Sequence, residues 1–159
     1  MQRGTTTLFD ALDMFLLDCE ARRLTPSTRQ FYTAKLTVFI RWCKENQVAT
    51  LGDVTAHDIR RFLVHIQRRQ LSSQYQHNLA RVIHAFLNYC VRHEPSDKSP
   101  FDKVQMPKVA KKIPQALSPN EIGAVLRSCT TDRDITICLF LLDSGVRVSD
   151  LSMIRFSGR

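Results

Sequence analysis

Across the first 93 residues the apolar side chains recur at three- and four-residue intervals, with no sustained two-residue alternation of the kind a half-buried strand requires. A period near 3.6 admits helices and excludes a sheet, so this stretch is expected to form a bundle of four helices. Helix one is predicted over about Thr7 to Arg23, burying Leu8, Ala11, Leu12, Phe15, Leu16 and Cys19. Helix two opens at Thr25-Pro26, a capping hydroxyl followed by a proline suited to the first helical position, and runs to about Asn46. Helix three follows Thr55 with Ile59, Phe62, Leu63 and Ile66 inward, and helix four follows Ser72 or Ser73.

Helix four divides most clearly. Tyr75, Leu79, Val82, Phe86 and Tyr89 form one apolar seam, while His77, Arg81, His84, Asn88 and Arg92 form a separate polar row. Helix two repeats the division more weakly, with Gln30, Thr33, Thr37, Arg41 and Lys44 on one side. A single charged row is ordinarily a solvated face. Two rows without an acid, in a chain whose 23 Lys and Arg exceed its 15 Asp and Glu to give a net charge of +8, point instead to a polyanion. Nucleic acid is favoured over a membrane surface, because no apolar run approaches the roughly 20 residues of a spanning helix. The Met1-Gln2-Arg3 start leads into no secretory segment, and a soluble, cytoplasmic protein is expected.

Cys19, Cys43, Cys90, Cys129 and Cys138 include no C-x-x-C pair and lie in or beside apolar helical stretches. They read as buried, reduced thiols that pack structurally, and neither a disulfide framework nor a zinc site is expected.

After His93 the composition shifts to Pro and Lys without helical period, and residues 94–116 read as an extended linker that spans a distance rather than packing. A second helical region, residues 117–159, opens on Ser118-Pro119-Asn120-Glu121, a cap, a first-position proline and a capping-box acid. The segment Arg133–Leu142 that follows is apolar on nearly every side, as a helix in the core of a larger domain would be.

This order of parts, closing on "DSGVRVSDLSMIRF", resembles the tyrosine recombinases of the phage integrase class. The last segment is similar to that family's first catalytic box, T-G-[LM]-R-[IV]-S-E-L, through Gly145, Arg147, Ser149 and Leu151. Ser144 replaces Thr, Asp150 replaces Glu, and Phe156 stands where Trp is usual. The resemblance implies an all-α, four-helix, SAM-like core-binding domain at residues 1–93, the linker, and the first helices of an incomplete mixed α/β catalytic domain. It implies double-stranded DNA as partner, together with other recombinase protomers on the DNA, and neither metal nor nucleotide cofactor. Helices two and four would face the major groove, with Arg29, Thr33, Arg41, His77, Asn78, Arg81, His84 and Lys111 as candidate contacts.

In that family a tyrosine hydroxyl attacks a DNA phosphodiester, and arginines stabilise charge developing on the phosphate. The resemblance makes Arg147 the first of these, its planar fork donating two hydrogen bonds, with Gly145 permitting the turn and Asp150 orienting the guanidinium. A structural ion pair to Asp150 or Asp143 is the plain alternative. The family's lysine, His-x-x-Arg, further His or Trp and tyrosine do not fit in Val148–Arg159, so a truncated, inactive site is expected. "HDIR" at His57–Arg60 matches His-x-x-Arg as a string but precedes Arg147 on helix three and is read as chance. Two other functions stand beside the recombinase fragment: a stand-alone DNA-binding regulator or competitor at recombination sites, and a helical protein–protein interaction module with solvated basic rows.

Overall fold

The computed structural model describes residues 6–93, 99–109 and 115–153, which belong to two compact units, Met1–Lys111 and Lys112–Arg159. Among the described residues the architecture is all-α, as expected, with one antiparallel bridge between Thr7 and Thr50. The first unit holds α1 (Leu8–Ala21), α2 (Pro26–Glu45), α3 (Ala56–Arg68) and α4 (Ser73–His93). Short 3₁₀ turns lie at Leu51–Asp53 and Pro100–Lys103.

Each of the first three helices starts where a threonine can accept an orphan amide: Thr7 from Asp10, Thr25 from Thr28 and Thr55 from Asp58. Asp58 reaches back to the Thr55 amide and completes a capping box. The ends were less readable. Arg23, Gln47 and Gln70 occupy the left-handed region at φ 58°, 62° and 54°, a conformation that usually selects glycine. Backbone bonds hold two of them: Leu24 N–H donates to Cys19 O and Val48 N–H to Cys43 O, closing Schellman turns. Val48 is buried there, so apolar burial offsets the cost of a side chain at positive φ.

The core is shared by all four helices. Phe39, Phe62 and Phe86 are fully buried alongside Leu36, Ile59 and Ile83. Edge contacts link Phe15 to Phe86 and Tyr89, and Phe62 to Phe39 and Trp42, at centroid distances of 5.1–5.7 Å. Tyr89 Oη donates to the Met14 carbonyl at 3.1 Å, satisfying the polar end of a buried ring. Cys19, Cys43 and Cys90 lie in this core as expected. Burial, with Asp58 adding to it, pushes the Cys43 thiol up to about 12 and keeps it protonated.

The stretch expected to span rather than pack does pack over part of its length. Phe101 is only 2% exposed and joins the core, with Val104 and Met106 against it. Ser99 caps the turn by accepting from Phe101 N–H, and Arg60 of α3 donates to the Lys103 carbonyl. A single aromatic among prolines and lysines carries no periodicity, which explains why it read as linker. Residues 99–107 are therefore a strap on the bundle.

The second unit holds α5 (Pro119–Ser128), α6 (Asp132–Ser144) and α7 (Val148–Leu151). The expected Ser118/Glu121 capping box is present, and its two hydrogen bonds hold the Glu121 carboxyl below its usual range. No described residue of this unit is buried; Leu139, Phe140 and Leu142 of α6 are 41–49% exposed.

Two substitutions test this packing. Phe101→Ala should destabilise the bundle by about 3 kcal/mol in urea unfolding; an unchanged midpoint would mean that the strap adds nothing to the core. Gln47→Gly should stabilise by about 1 kcal/mol by relieving positive φ, and a loss of stability would contradict the end geometry given above.

Candidate nucleic-acid interface

The exposed arc of α4 has two edges. Along one, His77 Nδ1 donates to the Pro107 carbonyl at 3.0 Å and the His84 ring lies 4.9 Å from that of Phe101. His84 also hydrogen-bonds Asn88 Nδ2 at 3.0 Å. Both histidines thus turn towards the strap and help seat it. Along the other edge, Asn78, Arg81 and Ala85 line a groove shared with Thr28, Phe31 and Tyr32 of α2, with Val82 at its floor. Lys35, one turn further along α2, stands with its ammonium 3.5 Å from the Tyr75 ring centroid and 5.7 Å from that of Phe31. The two rings hold the cation by its attraction to their faces while leaving the charge available.

No acid is among the described residues that line this groove. The contrast with the other side of α2 is sharp. Arg29 and Thr33 line a groove with Asp13 and Glu20 of α1, and Arg29 Nη1 is paired to Glu20 Oε1 at 2.8 Å. The α1 sequence carries Asp10, Asp13, Asp18 and Glu20 and no Lys or Arg. A polyanion would meet repulsion over α1 and attraction along the α2–α4 groove.

The structure therefore brings Asn78 and Arg81 together and places Arg29 and Thr33 on a different flank. Arg41 is exposed on α2, and Lys111 lies outside the described residues. Lys35 and Thr28 escaped the sequence reading, because a 3.6 period identifies the solvent arc of α2 without saying which flank meets α4. Lys35 and Tyr75 each lie three residues from the nearest lining neighbour, Tyr32 and Asn78, and their pairing was visible only as a contact across helices. Arg60 of the "HDIR" string has a structural task in holding the strap.

In the second unit Gly145 caps α6 in the left-handed region at φ 62°, its amide donating to Leu141 O at 3.0 Å. An added Cβ would meet nothing within 4 Å, so backbone conformation rather than space favours glycine there. Arg147 is exposed at the N-cap of α7, and its carbonyl accepts from Asp150 N–H at 2.9 Å. The ion pairs among the described residues do not include Arg147; Asp150 Oδ1 accepts from Ser149 Oγ at 3.4 Å.

The family model described as phage integrase, N-terminal SAM-like domain, matches residues 12–97, more than half of the 159. The chain belongs to the phage integrase family of tyrosine recombinases. Tyrosine recombinase XerC of Roseiflexus castenholzii is 26% identical over 138 residues, 83% of this chain and 44% of that protein. Tyrosine recombinase XerA of Thermococcus kodakarensis is 28% identical over 141 residues, covering 87% and 45%. XerD of Shewanella oneidensis is 26% identical over 146 residues, covering 88% and 48%. This integrase-family chain thus spans under half the length of these relatives. Among its described residues no helix is long and apolar enough to cross a membrane.

Proposed function

We propose that this chain is a DNA-binding part of a tyrosine-type site-specific recombinase, and that duplex DNA is held along the α2–α4 groove. The observation that carries the reading is the acid-free groove in which Arg81, Asn78 and Thr28 meet beside the ring-held Lys35. Lys35 and Arg81 supply charge for phosphates, whose neutralisation releases condensed counterions and dominates affinity. Asn78 offers an amide that can pair bidentately with an adenine edge, and Arg81 a fork suited to guanine. The acidic face of α1 and the strap-bound edge of α4 leave this flank as the natural one for a polyanion.

Arg147 is proposed as the first phosphate ligand of the catalytic site. Exposed at a helix N-cap and free of the described ion pairs, it can direct its guanidinium to a phosphate. Residues 148–159 contain no Lys, His or Tyr, so the nucleophile and the remaining ligands are not supplied after Arg147 in this sequence. On this reading the 159-residue chain binds duplex DNA without cleaving it, and covalent protein–DNA adducts with the purified chain would contradict it.

Substitutions separate the two flanks of α2. Arg81→Ala should weaken duplex binding by about 1–3 kcal/mol if it reads a base, or reduce the salt slope by about one unit if it meets a phosphate. Lys35→Ala should reduce the slope similarly, whereas Thr33→Ala leaves affinity and slope unchanged. Loss at Thr33 with none at Arg81 or Lys35, in chains folded by circular dichroism, would move the DNA to the α1 side.

A further inference from the structure

The five cysteines do not share one environment. Three lie buried in the first unit, but Cys129 and Cys138 of the second are partly exposed, and their sulfurs are 3.8 Å apart. Cys129 caps the C-terminal end of α5, its thiol also within 3.4 Å of the Val125 carbonyl, and Cys138 sits in the second turn of α6. Two helices joined by the short connection Cys129–Thr131 bring positions nine apart into contact, a meeting that no C-x-x-C spacing announces.

We infer that Cys129 and Cys138 form a dithiol modification site that closes to an intramolecular disulfide in the presence of a small-molecule disulfide oxidant. A bond needs the sulfurs at about 2.05 Å, so each must turn inward by under an ångström. The connection between α5 and α6 is short and neither thiol is locked in a core. The step balances with a reagent RSSR. One cysteine loses its proton and its thiolate attacks a sulfur of RSSR, giving a mixed disulfide and RS⁻, which takes up a proton. The second cysteine, deprotonated in turn, attacks the protein sulfur of that mixed disulfide and releases the other half as RSH. Two electrons pass from the cysteine pair to RSSR, and two RSH leave.

The product would tie the end of α5 to α6, the helix whose C-cap, Gly145, begins the turn carrying Arg147. Oxidation state would then set how firmly α6 is held beside α5. Desolvation, the sulfur contact with Cys138 and the nearby Asp134 carboxylate raise the Cys129 thiol above its ordinary value. Thiolate is consequently scarce near neutrality, and exchange should speed up as pH rises towards the thiol range. The site is independent of the DNA-binding reading.

The test equilibrates the full chain with oxidised glutathione, blocks free thiols by alkylation under denaturing conditions and digests with trypsin. Cleavage after Arg127, Arg133 and Arg147 leaves Cys129 in Ser128–Arg133 and Cys138 in Asp134–Arg147. The expected result is these two peptides joined by one disulfide, with Cys19, Cys43 and Cys90 alkylated. The linkage should form faster at higher pH, disappear in Cys129→Ser and persist in Cys90→Ser. Absence of the linked pair, or a cross-link that joins two chains instead, would overturn the proposal.

Discussion

The burial of one side of α4 is the constraint on which the rest of the first unit depends. Leu79, Ile83, Phe86 and Leu87 are removed from water by α1, α2, α3 and the strap together. Fully burying side chains of this size is worth about 1.5–3 kcal/mol each before entropy is counted. Because that burial fixes how α4 is rotated, it also fixes what remains outside. Two chemically different edges result, one directed at the strap and one at α2.

The division of labour on α4 follows from that rotation. His77 and His84 hydrogen-bond or stack against residues 101–107, so they serve the attachment of the segment leading out of the bundle. Asn78 and Arg81, on the opposite edge, are left to face outward beside Lys35. Charge is segregated in the same sense: Glu20 of α1 compensates Arg29 and, with Asp13, makes the α1–α2 groove unattractive to phosphate. A net charge of +8 would not by itself say which face matters; the placement of four acids on a single outer helix does.

Much of this was readable from residue order, and the part that was not has a common cause. Helix starts are written locally, in Thr7, Thr25-Pro26, Thr55 and Ser118-Pro119-Asn120-Glu121, and the apolar period gives each buried face. The seam of α4 and the tendency of Arg81 to face outward come from the same signal, whereas Asn78 entered only through the family resemblance. Features that need two distant segments to meet stayed silent. Phe101 in its Pro/Lys stretch, Lys35 over Tyr75, and the Cys129–Cys138 contact are all of that kind. The left-handed ends at Arg23, Gln47 and Gln70 stayed silent for another reason, since no glycine marks them and tertiary burial supports them instead.

The central claim is that DNA lies against the α2–α4 groove and away from the α1–α2 groove. Its most direct test is positional photo-crosslinking to a random-sequence duplex at low salt, with a benzophenone side chain placed singly at Ala85 or at Ala34. Both positions line a groove, one on each flank, and neither carries a charge that the probe would remove. Crosslinks from position 85 that vanish as salt is raised, with none from position 34, are the expected result. Crosslinks from position 34 with none from position 85 would contradict the claim and put the polyanion on the α1 side.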